Sequence, residues 1–407
     1  MKRSIILMLT IIQFANLYGQ TCSPDSLLLR SIKAIETDSN INWELQNHQV
    51  YINNDCTQND KLVIHLVGTF GNPVSTTYFP TLAANNGFKV INLKYPNGTA
   101  AVTACANSND INCFQGYRQE IIFGVDSSSI VTVDENNCVI NRIEKLVTYL
   151  NNNFPSENWD EFLSTPGNLN WSNIVVSGHS QGGGHAAFIA KQFEVNSALM
   201  FASPNDYSDF FSAPANWLSL PSATPDSNYF AFGNLFDNVV DFNKQFENWT
   251  AMNLLLQTDS TNVDHTTCNY NNSKVLYTKY ETPTGAGNHS AVITDDFTPL
   301  SGGTATFAPV WEYMLGLCEV ATSVSETNDY PNNIRFFPNP TSSKVRIESS
   351  NKISKVEIFN LSGILLRTVR PFQENFELNV ESYKGVIFLN MTLQDSKIER
   401  CERVIVN

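Results

Sequence analysis

Charge is scarce in this 407-residue chain. Asp, Glu, Lys and Arg make up 16% of it, against about 25% in an average soluble protein. Asn, Ser and Thr fill the polar positions instead. With 42% hydrophobic and 11% aromatic residues, this composition excludes a charge-rich disordered chain, which could not bury enough apolar surface to order itself. Basic charge is scarcer still: 25 Lys+Arg stand against 39 Asp+Glu. A nucleic-acid partner is therefore excluded, because it would need a basic footprint to displace counterions from phosphates. No apolar run reaches the roughly 20 residues that span a bilayer, so no membrane span is expected. Eight cysteines are too few to build a fold of this length; any bridges pin loops on domains that already have cores. The length itself suggests two or three domains at roughly 100–200 residues each.

The start of the chain reads as an address. Lys2 and Arg3 precede the apolar stretch Ile5–Ile12, and the small-residue end Leu17-Tyr18-Gly19 follows. That is the pattern of a secretory signal peptide over residues 1–19, cut after Gly19 or Gln20. Thr21 before Cys22 argues against lipid attachment. Export places the cysteines where disulfides persist.

Charge then separates two parts. Residues 333–407 carry 11 Lys+Arg and 8 Asp+Glu, whereas residues 20–332 carry 12 and 31. Residues 319–332, polar and aperiodic from Thr322 to Pro331, read as a linker.

Beyond the linker the pattern has period two, in Lys344–Glu348, Lys355–Phe359 and Phe376–Val380. Turn signals at Ser362-Gly363 and Lys384-Gly385 stand between such runs. Short strands at this spacing indicate a small all-β, immunoglobulin-like sandwich. Phe337-Pro338-Asn339-Pro340, Val356-Glu357-Ile358-Phe359-Asn360-Leu361-Ser362-Gly363 and the closing Glu402-Arg403-Val404-Ile405-Val406 resemble the C-terminal sorting domain of type IX secretion. The resemblance implies the type IX secretion machinery as a partner, and a secreted or cell-surface destination. The competing reading is a retained binding module, since sandwiches host many functions.

The body, residues 20–318, alternates strands with helices. Apolar runs at 61–67, 88–93, 173–177, 198–202, 229–232 and 274–277 suit strands buried on both faces. Val139, Ile140, Ile143, Leu146, Val147 and Leu150 share one helical face. Further helices are expected at about 181–194 and 307–317. Alternation of this kind implies an α/β fold, a mainly parallel sheet flanked by helices with sites at the carboxyl ends of its strands.

One strand-to-helix turn carries a chemical motif, Gly178-His179-Ser180-Gln181-Gly182. It has the G-x-S-x-G form of a nucleophile elbow, in which glycines clear a sharp turn and the serine hydroxyl is held up at the strand end. A phosphate loop would require a lysine that is absent. A serine hydroxyl needs a base, and the base an orienting acid. Asp237 and His289 each follow a strand and stand in the order Ser, Asp, His. Here the body resembles the α/β-hydrolase superfamily, in its secreted esterase-like branch. That implies Ser180, Asp237 and His289 as a catalytic triad. It also implies an oxyanion hole from the amide of Gln181 with that of Thr69 or Phe70.

Asp206 and Asp209 are rival acids, and His265 is the rival base. His65, inside an apolar strand, reads as a core residue. His179 and His185 are six apart and miss the spacing of a helical zinc pair, so neither metal nor cofactor is expected. Tyr207, Phe210 and Trp217 are candidate substrate-binding walls, although such aromatics serve equally for packing. The expected function is hydrolysis of a carboxylic ester of unknown identity. A peptidase or amidase with the same triad, and a catalytically silent binder, are the alternatives. A disulfide is expected between Cys105 and Cys113, which flank a polar loop. Pairing of either with Cys138 is its rival, and Cys22–Cys56 and Cys268–Cys318 are weaker expectations.

Overall fold

The computed structural model describes residues 23, 26–165, 168–255, 260–264, 269–283, 285, 287–318, 334–360, 365–393 and 399–406. The chain divides into two compact units, Met1–Val320 and Ala321–Asn407. The expected signal peptide and linker, and the rival base His265, lie outside the described residues.

The body is mixed α/β around one large sheet. Among the described residues its strands are β1 (Leu27–Lys33), β2 (Asn47–Asn53), β3 (Leu62–Leu66), β4 (Lys89–Leu93), β5 (Ile174–His179), β6 (Ser197–Phe201), β7 (Tyr229–Asn234), β8 (Thr261–Asn262) and β9 (Val275–Thr278). Their order in space is β1-β2-β4-β3-β5-β6-β7-β9-β8. β1 with β2 and β2 with β4 pair antiparallel; every other neighbour is parallel. The apolar runs of β3, β4 and β6 are buried throughout, because helices cover both faces. Ile64, Ile91 and Val176 face α2 (Cys113–Phe123), α3 (Val139–Asn153) and α4 (Gln181–Gln192). Val63, Val90 and Val175 face α1 (Tyr78–Asn85) and α5 (Ala308–Met314). The chain leaves β3 for β4 on one side and returns to β5 on the other. Strand order thus reverses at β3/β5, where the loops diverge and open α/β sheets form their crevice.

β1 and β2, upstream of residue 61, extend the sheet beyond the strands expected from sequence. α2 was also unforeseen, because buried Gly116, Arg118 and Glu120 interrupt the apolar face of Phe114, Tyr117 and Ile121. The segment around the two cysteines, expected to be irregular, starts with the short helix Ala101–Cys105 and ends on the first residue of α2. Cys105 and Cys113 are disulfide-bonded, with Cα atoms 5.5 Å apart. Cys138 is a free, buried thiol. Cys56 and Cys318 are also disulfide-bonded; Cys22 and Cys268 lie outside the described residues.

Among its described residues the second unit is all β: β10 (Arg335–Phe337), β11 (Lys344–Asn360), β12 (Leu365–Val369), β13 (Gln373–Asn379), β14 (Gly385–Leu393) and β15 (Glu399–Val406). β11 is one strand of 17 residues where two were expected. Its register shifts near residues 348–355. Before the shift it pairs with β10 and β13, and after it chiefly with β12 and β14. Such irregularities bend a strand, so β11 serves both halves of the sheet around Val345, Ile347, Val356, Ile358 and Leu389. This is consistent with a β-sandwich.

Candidate active site

Ser180 occupies the step from β5 into α4 with φ 54° and ψ −121°. A positive φ is costly for a side chain other than glycine and persists only where the surroundings impose it. Here they do. A Cβ on Gly182 would lie 2.0 Å from the Leu66 carbonyl oxygen, and one on Gly178 would lie 2.3 Å from Gly182. The two glycines let α4 approach the ends of β3 and β5 closely enough to force the turn. Ser180 N donates to Phe201 O at 2.8 Å, and the residue itself is half-buried at the surface end.

His289 Nδ1 and Asp237 Oδ2 are 2.6 Å apart, 52 residues distant in sequence. Asp237 Oδ2 also accepts from Gln245 Nε2 at 2.8 Å, and Oδ1 accepts from the amides of Val239 and Val240. Burial pushes this carboxyl up. The His289 hydrogen bond and charge, then the two amides, outweigh burial and hold it below the ordinary carboxylate value. An anionic acid facing Nδ1 keeps the proton there and leaves Nε2 as the basic nitrogen. Nε2 is buried and has no hydrogen-bond partner among the described residues. The structure does not bring Ser180 Oγ into a hydrogen bond with it; Oγ is met instead by Asn205 Nδ2 at 3.5 Å.

The loops that carry Asp237 and His289 are tied together. Asn234 Nδ2 donates to Asn288 O at 3.1 Å, and Asn288 Nδ2 to Phe236 O at 2.9 Å. The His179 ring packs on that of His289 at 4.9 Å, with Nε2 3.3 Å from the His289 carbonyl oxygen. A carbonyl only accepts, so the His179 proton is on Nε2. Burial first, then the neighbouring His289, pushes His179 down to about 3; it stays neutral.

The loop after β3 faces the elbow. A Cβ on Gly68 would lie 3.2 Å from Ser180 Cβ. Asn97 organises this loop: its Nδ2 donates to Gly68 O and Gly71 O at 2.7 and 2.9 Å, and its carbonyl accepts from Phe70 N at 3.0 Å. Phe70, offered by the sequence as an oxyanion donor, is therefore corrected: its amide is already engaged by Asn97. Thr69 Oγ1 donates to Gln181 Oε1 at 3.1 Å, which also accepts from Ala101 N at 3.2 Å. As the first residue of α4, Gln181 has no intrahelical acceptor for its own amide.

Asp206 and Asp209 are engaged elsewhere. Asp206 forms a fully buried pair with Arg118, 2.6 Å from Nη2, and accepts from Trp217 Nε1 at 2.8 Å. Arg118 Nη1 also donates to Gln181 O at 2.7 Å. Asp209 pairs with Lys244 at the surface. Trp217, expected as a substrate wall, is corrected: it is wholly buried and packs on Phe188. Phe210 is 58% exposed beside Phe211, and Tyr207 lies under Lys244 Nζ. A cleft lined by Ile111, Phe114, Phe211 and Pro214 contains none of Ser180, Asp237 and His289. His65 is a core residue, wedged between Phe79 and Phe201 with Nδ1 3.0 Å from Ser177 Oγ. Among the described residues no cluster of His, Cys, Asp and Glu could hold a metal ion, and no helix is long and apolar enough to cross a membrane.

Asn97, Arg118, Asn205 and Gln245 organise this site, and sequence reading missed all four. Each is a single polar residue whose meaning comes only from a distant partner.

Residues 335–407 match the family model of the secretion system C-terminal sorting domain. The match supports type IX export to the medium or cell surface, through contact of this tail with the secretion machinery. No curated protein matches the chain. Among solved structures, a Klebsiella pneumoniae subsp. pneumoniae chain provisionally named a dienelactone hydrolase is similar over 72% of this chain and 98% of its own. Identity is 10% and the TM-score 0.35.

Proposed function

We propose that the body is a serine hydrolase of carboxylic esters on an α/β-hydrolase fold, exported with a signal peptide and a sorting tail. The observation that carries this reading is the 2.6 Å His289–Asp237 pair, with no partner for His289 Nε2 among the described residues, in a chain whose Ser180 holds a strained turn at a strand end.

Ser180 Oγ attacks the ester carbonyl carbon while His289 Nε2 takes its proton, and the Asp237 carboxylate stabilises the imidazolium that results. Negative charge developing on the carbonyl oxygen meets the amides of Gln181 and Thr69. One such donor contributes roughly 3–4 kcal/mol to the transition state. Collapse of the adduct breaks the ester C–O bond, and His289 returns the proton to the leaving alcohol. Water then attacks the acyl-enzyme by the same route and frees Ser180. Asn97 fixes the oxyanion loop, and Gln245 and Asn234 hold the acid and base loops. The reading is tested by a panel of chromogenic esters of graded acyl length beside peptide amides. Ester turnover should exceed amide turnover, and Ser180→Ala should abolish it. Turnover retained by the variant above about a tenth of wild type would reject the serine mechanism.

A further inference from the structure

Half of the Asn205 side-chain amide is unused, and it lies beside the nucleophile. Asn205 is 5% exposed. Its Nδ2 is 3.5 Å from Ser180 Oγ, and its Oδ1 is buried with no hydrogen-bond partner among the described residues. The surrounding main chain is not loose. Trp249 Nε1 donates to Ser203 O at 2.8 Å and Asn248 Nδ2 to Pro204 O at 2.9 Å. Tyr207 N donates to the Asn205 carbonyl itself at 3.0 Å, and Asp206 is fixed by Arg118 and Trp217. The fold thus pins the backbone on both sides of Asn205 and leaves its side-chain oxygen a buried acceptor to which no described residue donates. An unmade hydrogen bond at a buried carbonyl costs free energy, and native proteins leave few. Beside a nucleophile, such an atom is one that a substrate can complete.

We propose that Asn205 is a specificity-determining residue whose Oδ1 accepts a hydrogen bond from a hydroxyl on the acyl part of the substrate, so that the preferred esters are those of hydroxy acids. This rests on the reading of Ser180 as the nucleophile. When Oγ bonds the carbonyl carbon, the substituents one or two carbons along the acyl chain come within reach of an amide already 3.5 Å from Oγ. A neutral hydroxyl donates to Oδ1 without bringing a charge into a buried site, whereas an ammonium group would bring one. A site built around such a bond discriminates strongly against the analogue that lacks it, because the buried acceptor is then left unpaired.

The test compares kcat/KM for nitrophenyl esters of butanoate, 2- and 3-hydroxybutanoate and 3-aminobutanoate, in wild type, Asn205→Ala and Asn205→Asp. Wild type should favour the better hydroxy ester over butanoate by about tenfold or more. Asn205→Ala should bring that ratio close to one, and Asn205→Asp, which keeps an acceptor, should hold it above the alanine variant. Each ratio is taken within one enzyme, so partial loss of folded protein cancels. A wild-type ratio near one overturns the proposal, as does a ratio that Asn205→Ala leaves unchanged. An equal fall on all esters would assign Asn205 to the oxyanion instead, and preference for the amino ester would reject the hydroxyl. Hydrolysis of none of the esters by wild type would reject the serine-hydrolase reading, and this inference with it.

Discussion

Thr69 Oγ1 donates to Gln181 Oε1 across 3.1 Å, joining the loop after β3 to the residue that follows Ser180. The two amides proposed for the oxyanion hole belong to these same two residues, so one side-chain bond sets their spacing. Thr69→Val keeps the shape and removes the donor. It should lower kcat about five- to tenfold with little change in KM, the worth of one net hydrogen bond. Steady-state kinetics on a simple ester decide it; an unchanged kcat would show the loop to be held by Asn97 alone.

Stability should fall steeply in mild acid. Burial pushes His48, His65 and His179 down to about 3 from the ordinary 6.5, with Arg142 adding to the effect on His48 and His289 to that on His179. His185, buried beside Arg118, lies well below 6.5. Between those values the unfolded chain binds more protons than the folded one. Their stabilisation is therefore present above 6.5 and lost as pH falls from 6.5 towards 3, at up to about 1.4 kcal/mol per pH unit for each ring. Asp237, whose folded value is held below 3.8, keeps its contribution above 3.8 and loses it only below, under the pH 7.5 to 4.5 range in which the histidines are tested. Thermal melts from pH 7.5 to 4.5 should show a sharp decline, and His185→Phe should shallow it. A flat Tm across that range would contradict the burial of neutral histidines.

The Arg118–Asp206 pair is fully buried, so removing one partner strands a charge. Arg118→Met should cost about 3–5 kcal/mol in urea unfolding, and the double change Arg118→Met, Asp206→Leu markedly less than the sum of the two single changes. Additive costs would mean that the two residues do not act as a pair.

The sheet was legible where strands are buried on both faces. The runs at 61–67 and 88–93 can be nothing else once Gly68 and the helical stretches bound them. β1 was not: its pattern LLLRSIK is that of a half-exposed edge strand. β11 was divided in two because alternation stops near residue 349 where the strand bends. Within the site, Ser180 carries its own local signature, but Asn97, Arg118 and Asn205 do not. Arg118 reads as a surface residue of a polar helix until Asp206, 88 residues on, is placed against it. Phe70 fails as a donor for the same reason, since its amide is claimed by Asn97 across a loop. Trp217 looked like a pocket wall because aromatic content says nothing of which side of the chain is core.

The tail is expected to be removed on export. Intact-mass measurement of protein from the native host's surface or medium should place the mature end within residues 319–336. A full-length secreted form would favour a retained binding module.

The most direct measurement is intact-mass and peptide mapping after treatment with a fluorophosphonate, which phosphonylates an activated serine. One adduct should form per chain, on the peptide carrying Ser180, and it should vanish in Ser180→Ala and fall sharply in His289→Ala. No adduct on the folded wild-type protein, or an adduct elsewhere that Ser180→Ala leaves in place, would contradict Ser180 as the nucleophile.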